Sequence, residues 1–228
     1  VPSDKKVIML TKSDAENSDS FLAQGGICVL RDKNDFDSFM EDTMKAGHYE
    51  NRKESVEIMI NSSRDTINEL IGYGVDFATK DGELDYTREG AHSKPRILFH
   101  EDITGKEITS TLLGAVRKLE NVTIMEYVTM TDIIEKDNVC YGVLAKDANN
   151  NEMCIEAGYT IFACGGIGGL YDHSTNYPHL TGDAIAIAIQ HGIKLENVDY
   201  VQIHPTTLYT KKKGRAFLIS ESVRGEGA

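Results

Sequence analysis

The chain contains 228 residues, of which 40% are hydrophobic, and carries a formal net charge of -12 at pH 7. This length suits one large domain or two small ones, with enough apolar side chains for a core. The acidic charge argues against a nucleic acid or an anionic membrane as partner, because both bind basic surfaces. It leaves an acidic small molecule open, since a local group of Arg and His side chains can outweigh the overall charge.

The cysteines and histidines show no metal-binding pattern. Cys28, Cys140, Cys154 and Cys164 form no C-x-x-C pair and fit no zinc spacing. We therefore expect no metal site, reduced thiols and a cytoplasmic location. No apolar run approaches the roughly 20 residues of a membrane-spanning helix, and no signal peptide is visible.

Strand and helix patterns alternate in the first part of the chain. Short apolar runs predict strands at 6–10 and 122–127. Apolar residues recur at helical spacing in three segments, which are 35–47, 52–72 and 105–119. In the second of these, one apolar face is predicted to contain Val56, Ile60, Ile67, Leu70 and Ile71.

The second part of the chain adds consecutive strands. Three strands are predicted at 130–135, 139–145 and 153–162, and the turn 147–151 joins the last two as a hairpin. A helix is predicted at 184–191. Together the patterns predict an α/β fold that contains a small antiparallel β excursion.

The segment 87–93 combines a cation, a carboxylate, an imidazole and two hydroxyl groups around a glycine. Arg96, His100, Glu101 and Asp102 follow it closely. Such a mixture suits a site that holds a small dianion and handles protons. A surface loop with local salt bridges explains the composition equally well.

Two glycine pairs are candidates for ligand contact. Gly25 and Gly26 follow Gln24, and adjacent glycines let backbone N–H groups approach a ligand. Gly165 and Gly166 follow a predicted strand, as nucleotide-binding turns of doubly wound sheets do. Neither pair is the dinucleotide fingerprint, and a plain turn is the alternative for each.

Three further segments carry polar groups near element ends. Residues 181–183 begin a helix, whose N–H groups can meet a phosphate, although Thr181 could simply be an N-cap. Gln202 and His204 alternate to the same side of an extended segment. Ser220, Glu221 and Arg224 lie within one or two turns, which also fits a salt-bridged helix end.

Taken in order, these segments resemble the L-aspartate oxidase family, in the flavoprotein superfamily of fumarate reductase and succinate dehydrogenase. The matching segments are 23–27, 87–93, 96–105, 165–166, 175–176, 181–183, 202–206 and 220–228. The resemblance implies a partial Rossmann-like FAD-binding domain at 1–200 and the start of a capping domain at 201–228. It also implies non-covalent FAD, because Asp19 stands where the succinate dehydrogenase branch has its flavin-linked histidine.

The resemblance implies FAD-dependent oxidation of L-aspartate to iminoaspartate, with oxygen or fumarate as electron acceptor. This is the first step of de novo NAD biosynthesis, and quinolinate synthase is the partner by pathway. The expected cofactor-binding residues are Gln24, Gly25, Gly26, Gly165, Gly166 and Asp183. The expected catalytic and substrate-binding residues are Glu89, which would recognise the amino group, and Gln202, His204, Ser220 and Glu221.

The chain departs from the family pattern in several places. Ala91 and Ala184 stand where glycine is common, and Cys164 and Ser220 stand where threonine is common. The family's Gly-x-Gly-x-x-Gly is expected before Val1 and its catalytic arginine beyond Ala228, so we expect an inactive fragment that binds FAD weakly or not at all. The alternatives are a fumarate reductase or succinate dehydrogenase-like flavoprotein, and a non-catalytic nucleotide-binding fragment.

Overall fold

The computed structural model describes residues 2–204, 206–211 and 214–219. Its Cα positions divide the chain into two compact units. Among the described residues, the first unit draws on 2–19 and 116–218, and the second on 20–115 and 219. The domain boundary expected near residue 200 stays a prediction.

The described residues form both α-helices and β-strands. The helices are α1 (Asp19–Leu22), α2 (Phe36–Ala46), α3 (Lys53–Tyr73), α4 (Thr104–Val116) and α5 (Asp183–Gln190). The strands are β1 (Val7–Thr11), β2 (Ile27–Cys28), β3 (Thr79–Lys80), β4 (Glu83–Leu84), β5 (Ile97–Leu98), β6 (Val122–Glu126), β7 (Thr129–Lys136), β8 (Val139–Lys146) and β9 (Glu152–Glu156).

The core of the second unit forms around α3, as its apolar spacing predicts. Val56 and Ile60 pack with Phe39 of α2, while Ile67 and Leu70 pack with residues of β2, β5 and their neighbours. Ile71, which the sequence placed on the same face, is 41% exposed, so that part of the prediction is wrong. Ile71 follows Leu70 directly within α3, so its side chain points about 100° further around the helix, away from the core.

β2 and β5 form a short antiparallel pair in the second unit. Gly26 stands just before β2, and a side chain there would collide with Ile97 and the carbonyl oxygen of Leu98. Glycine is therefore required at this position for the two strands to approach. A further bridge joins Thr87 to Ile97 and closes the base of the intervening loop.

The first unit is built from a parallel pair and an antiparallel meander. β1 pairs in parallel with β6, and β7, β8 and β9 form a three-stranded antiparallel sheet. α5 packs on this sheet, with Ile187 in the same apolar cluster as Ile133 and Val143. Asp147 accepts hydrogen bonds within the β8–β9 turn. The predicted antiparallel excursion and its hairpin are confirmed.

The strand predicted at 153–162 is too long. β9 ends at Glu156, and Tyr159 and Ile161 are 94% and 84% exposed. An apolar run becomes a strand only where another strand accepts its backbone hydrogen bonds. The last such bond runs from the N–H of Ala157 to Tyr141 of β8, and no described strand pairs with 158–162. The sequence pattern detected the apolar run but not the lack of a pairing strand.

Over the described residues, no helix is long and apolar enough to cross a lipid bilayer. The same residues contain no group of three or more His, Cys, Asp or Glu side chains placed to hold a metal ion. The four cysteines are free thiols.

Candidate functional site

A cation and a carboxylate meet in the first unit where β1 ends. Lys12, directly after β1, donates from Nζ to Asp183 Oδ2 and to Thr181 Oγ1, each at 2.8 Å. The Thr181 hydroxyl in turn donates to Asp183 Oδ1 at 2.7 Å. We call these three residues the Lys12 cluster. It lies at the carboxyl end of a parallel strand, where α/β folds bind ligands.

The Lys12 cluster keeps Asp183 ionised. Burial on its own would raise the pKa of Asp183, but the hydrogen bonds from Lys12 and Thr181 outweigh it and hold the pKa below its usual range. Asp183 is the first residue of α5, and Gly182, with φ of 72°, precedes the helix without a side-chain cap. The alternative that Thr181 is the N-cap is therefore wrong, since its hydroxyl is engaged by the Asp183 carboxylate.

The predicted glycines of the first unit lie next to this cluster. Gly166 accepts a hydrogen bond at its carbonyl from the N–H of Gly182, at 3.1 Å. Gly165 has a φ of 70°, and at Gly166 a side chain would point into open space. The negative charge of Asp183 also reaches Cys164, whose pKa is raised mainly by burial. The fold thus brings together Gly165, Gly166 and Asp183, and their assignment as cofactor-binding residues stays a prediction.

Asp19 is engaged by the loop that contains the predicted 175–176 segment. Its Oδ1 accepts from the backbone N–H of Tyr177 at 3.2 Å, and its Oδ2 accepts from the Asn176 side-chain amide. Asn176 also accepts from Ser174 at 3.1 Å. The carboxylate at position 19 therefore orders this loop.

The second unit contains a buried arginine with every donor engaged. Arg96 donates from Nε and Nη2 to both oxygens of Asp35, at 3.0 and 2.9 Å. Nη2 also donates to Ser38 at 3.0 Å, while Nη1 donates to Asp42 at 2.5 Å and to His92 Nδ1 at 3.2 Å. A guanidinium has five N–H groups, and these five bonds use them all. We call these five residues the Arg96 cluster.

Charges inside the Arg96 cluster stabilise one another. Burial would raise the pKa of Asp35, but hydrogen bonds from Arg96 and Ser38 lower it to about 2. The pKa of Asp42 is lowered in the same way, against burial, by Arg96 and Ser93. Burial and the positive charge of Arg96 both lower the pKa of His92, so its ring is neutral near pH 7.

The segment 87–93 is fixed at both ends. Its base is the bridge between Thr87 and Ile97, and near its other end Asp42 Oδ2 accepts from the backbone N–H and the hydroxyl of Ser93, at 2.8 and 2.7 Å. Between them the carbonyl of Glu89 accepts from the N–H of His92 at 3.3 Å, which closes a turn. The segment is a tethered turn rather than a freely solvated loop.

This turn borders a cavity of about 520 Å³ in the second unit. Gly26, Cys28, Ala91 and His92 line one side, and residues of α2 and α3 line the other. His92 Nε2 is 3.4 Å from the sulfur of Cys28. Burial raises the pKa of Cys28, and the charge of the half-buried Glu89 raises it further.

The structure describes two of the predicted substrate-binding residues in the last part of the chain, Gln202 and His204. Gln202 is exposed and His204 is half-buried in the first unit. His204 Nδ1 accepts from the backbone N–H of Thr206 at 3.3 Å, so a neutral ring carries its proton on Nε2. Ser220 and Glu221 lie outside the described residues.

Sequence reasoning missed Lys12 and the two carboxylate partners of Arg96. Lys12 is a single lysine after a strand, with no local pattern around it. Its position at the carboxyl end of β1 was the one available signal. Asp35 and Asp42 were seen only as polar positions of a helix.

Comparison with known proteins identifies the family. Residues 3–228 match the family described as FAD binding domain. The chain belongs to this family. Its cofactor is therefore FAD, and the predicted α/β FAD-binding fold with an antiparallel insertion is confirmed.

Curated proteins that are similar to this chain include L-aspartate oxidases. That of Clostridium perfringens is 45% identical over 225 residues, covering 98% of this chain and 51% of that protein. That of Clostridium acetobutylicum is 47% identical over 226 residues, covering 98% and 52%. The chain spans about half the length of these curated relatives, and the resemblance noted in the sequence is confirmed.

Solved structures of related flavoproteins share the fold. A variant of the E. coli quinol fumarate reductase superimposes with a TM-score of 0.89 at 25% identity, covering 98% of this chain and 38% of that chain. Mycobacterium smegmatis Sdh1 in complex with UQ1 gives 0.85 at 29% identity, covering 96% and 40%.

The residues of the Lys12 cluster fit a dinucleotide cofactor. Lys12 and Asp183 are each 30% exposed, so a cation and an acceptor remain accessible to phosphate and hydroxyl groups. The open space at Gly166 allows close approach of a ligand to the backbone. These are the residues of the first unit that could hold FAD.

Proposed function

We propose that this chain is part of an FAD-dependent L-aspartate oxidase, which converts L-aspartate to iminoaspartate with oxygen or fumarate as electron acceptor. The observation that carries the proposal is the identity of 45–47% with L-aspartate oxidases over 98% of the chain. By the same relationship, the product would pass to quinolinate synthase in de novo NAD biosynthesis.

Each proposed substrate contact has a chemical reason. Glu89 would accept a charge-assisted hydrogen bond from the substrate ammonium group, which succinate and fumarate lack. His204 would donate from Nε2 to a substrate carboxylate, because its Nδ1 already accepts from Thr206. Gln202 and Ser220 would add donors to the carboxylates, and Glu221 would be a further substrate-facing residue.

When bound, FAD would supply the two-electron oxidising capacity that this reaction requires. The chain's own residues would bind and orient. Gln24, Gly25 and Gly26 would line the cofactor with backbone and amide groups, and Gly165, Gly166 and Asp183 would hold it beside Lys12. A fixed dicarboxylate presents its α-carbon in one orientation, which is how positioning accelerates a bimolecular step.

The test is made in the whole protein that contains this chain. We expect purified protein to show flavin absorbance and to produce hydrogen peroxide or reduce fumarate when L-aspartate is added. The 228-residue chain alone is expected to be inactive, because it spans about half the length of the curated relatives. Aspartate turnover by the isolated chain would contradict that second expectation.

Glu89 separates this function from its alternative. Fumarate reductase or succinate dehydrogenase-like activity is the second candidate, supported by the TM-scores of 0.85 and 0.89. Glu89→Gln is expected to raise the KM for aspartate about tenfold or more, while fumarate reduction is spared. Glu83→Gln, an exposed position on β4, is the matched control. Equal loss of both reactions in Glu89→Gln would argue against the oxidase.

A further inference from the structure

Arg96 resembles a substrate-binding residue in sequence, since it follows the polar segment 87–93 and its guanidinium suits a carboxylate. The structure assigns it another task. Its side chain has no solvent exposure, and Asp35, Ser38, Asp42 and His92 accept from all five of its N–H groups. It has no donor left for a substrate carboxylate, so any effect on substrate must pass through a partner.

Among the four hydrogen-bond partners of Arg96, His92 is the one that connects it to Glu89 of the proposed substrate site. A guanidinium only donates, so His92 Nδ1 must be the acceptor of the 3.2 Å contact and the ring must be the Nε2–H tautomer. The backbone N–H of the same residue donates to the carbonyl of Glu89. A continuous path therefore joins Arg96 to His92 and His92 to the backbone of Glu89.

Arg96, the first residue of this path, is held by residues at the start of α2 and within it. Asp35 precedes α2 directly and Asp42 lies within it, so Arg96 is held by a helix whose Phe39 is in the core. Asp42 Oδ2 holds Ser93 as well as Arg96. A polar group held through such supports loses little conformational freedom when it binds a ligand.

We infer that Arg96 is a positioning residue that acts through His92 to orient the turn carrying Glu89 toward the substrate amino group. This inference rests on the proposed function, because it assigns a purpose to the amino-group acceptor. It makes the Arg96 cluster a determinant of the choice between aspartate and dicarboxylates without an amino group. Fumarate binding does not use Glu89 and is expected to be independent of the cluster.

The test compares two substitutions of His92 in the whole FAD-bound protein. His92→Phe keeps the packing against Phe39, whose ring centroid lies 6.2 Å away, but removes the acceptor for Arg96. His92→Asn places an amide oxygen where Nδ1 stands and keeps the acceptor. We expect His92→Phe to raise the KM for aspartate about tenfold to a hundredfold, with FAD content and the KM for fumarate little changed. At neutral pH, His92→Asn is expected to stay within about threefold of the wild type in FAD content and in both KM values.

A pH series gives a second readout that does not require His92→Phe to fold. Protonation would put a hydrogen on His92 Nδ1, facing Arg96, and would break the path. The charged groups that act on the ring are Arg96, Asp42 and Asp35, and the titratable Cys28 sulfur lies 3.4 Å from Nε2. The KM for aspartate is expected to rise as the pH falls through the pKa of His92, and His92→Asn is expected to remove that rise.

The outcomes separate this inference from the function on which it rests. If the wild-type protein does not oxidise aspartate, the proposed function fails before any variant is compared. If it does, an unchanged aspartate KM in FAD-bound His92→Phe overturns the inference alone. An equal rise in the KM for aspartate and fumarate overturns it too, because it shows a general structural effect. A pH dependence that is the same in His92→Asn as in the wild type also contradicts it.

Discussion

The two units each contain a cation held between oxygen acceptors, but only one of these clusters is closed. Arg96 is fully buried, and its carboxylate partners Asp35 and Asp42 are 4% and 15% exposed. Lys12 and Asp183 are each 30% exposed. The described residues accept from all five N–H groups of Arg96 but give Lys12 two acceptors for three donors.

This difference in exposure indicates that the Arg96 cluster and the Lys12 cluster have different roles. A buried cation whose donors are exhausted fixes neighbouring segments and contributes to folding. A partly exposed cation contributes less to folding, because solvent screens its charge. If one of its N–H groups has no acceptor in the protein, that group can donate to a ligand. The comparison therefore predicts that Arg96 variants lose stability and Lys12 variants lose cofactor affinity.

The largest expected effect is the loss of Arg96. Arg96→Met would leave the buried Asp35 with only the exposed Lys94 as a cation and would remove the cation from the half-buried Asp42, so we expect the free energy of unfolding to fall by about 3–5 kcal/mol. Denaturant unfolding of the whole protein, followed by circular dichroism, measures it. Lys12→Met is the matched control, with an expected loss below about 1 kcal/mol. Equal losses in the two variants would remove the distinction between a closed and an open cluster.

Low pH should weaken the closed Arg96 cluster, because it protonates Asp35. Its pKa is lowered from 3.8 in the unfolded chain to about 2 in the folded protein. Its stabilisation is therefore fully present above pH 3.8 and is lost as the pH falls through about 2, an effect of about 2 kcal/mol. The stability of the wild type minus that of Asp35→Asn, measured from pH 6 to pH 2 by urea unfolding, should shrink across that window. A difference that stays constant with pH would contradict the assignment.

Local sequence patterns predicted several of the helices and turns that lie in or near these clusters. The helical spacing located α2, α3 and α4 within a few residues, because each helix has an apolar face that must be buried. The polar composition of 87–93 identified the turn that carries Glu89. Glycine pairs pointed to 165–166, which the fold places beside Asp183.

Contacts between distant segments could not be predicted in the same way. Arg96 meets Asp35 across 61 residues, and Lys12 meets Asp183 across 171. Nothing local to Lys12 or Asp35 distinguishes either from an ordinary surface charge, since their partners are set by packing. The same cause explains why the strand predicted at 153–162 is too long, since the apolar pattern continues to 162 but no described strand pairs with 158–162.

The open cluster predicts a cofactor effect for Lys12. Lys12→Met removes a cation that is available to FAD phosphate or hydroxyl groups, and we expect FAD binding to weaken about tenfold, or ~1.4 kcal/mol. Flavin fluorescence titration of the whole apoprotein measures the affinity. Lys5→Met is the control, because Lys5 pairs with Asp4 on an exposed part of the same unit. Unchanged FAD affinity in Lys12→Met would show that this cluster, like that of Arg96, serves folding alone.

The smallest expected effect concerns backbone positions next to the two clusters. Ala91, beside the Arg96 cluster, has a φ of 67°, and Gly182, beside the Lys12 cluster, has a φ of 72°. A side chain is strained in this left-handed region, so Ala91→Gly should raise the free energy of unfolding by about 0.5–1 kcal/mol after the greater flexibility of glycine in the unfolded chain is subtracted. Gly182→Ala should lower it, since the added methyl group meets Ile167 as well as the strain. Thermal unfolding of both variants measures the pair. A loss of stability in Ala91→Gly would mean that the turn below Glu89 depends on the Ala91 methyl group, which lines the cavity, more than on relief of backbone strain.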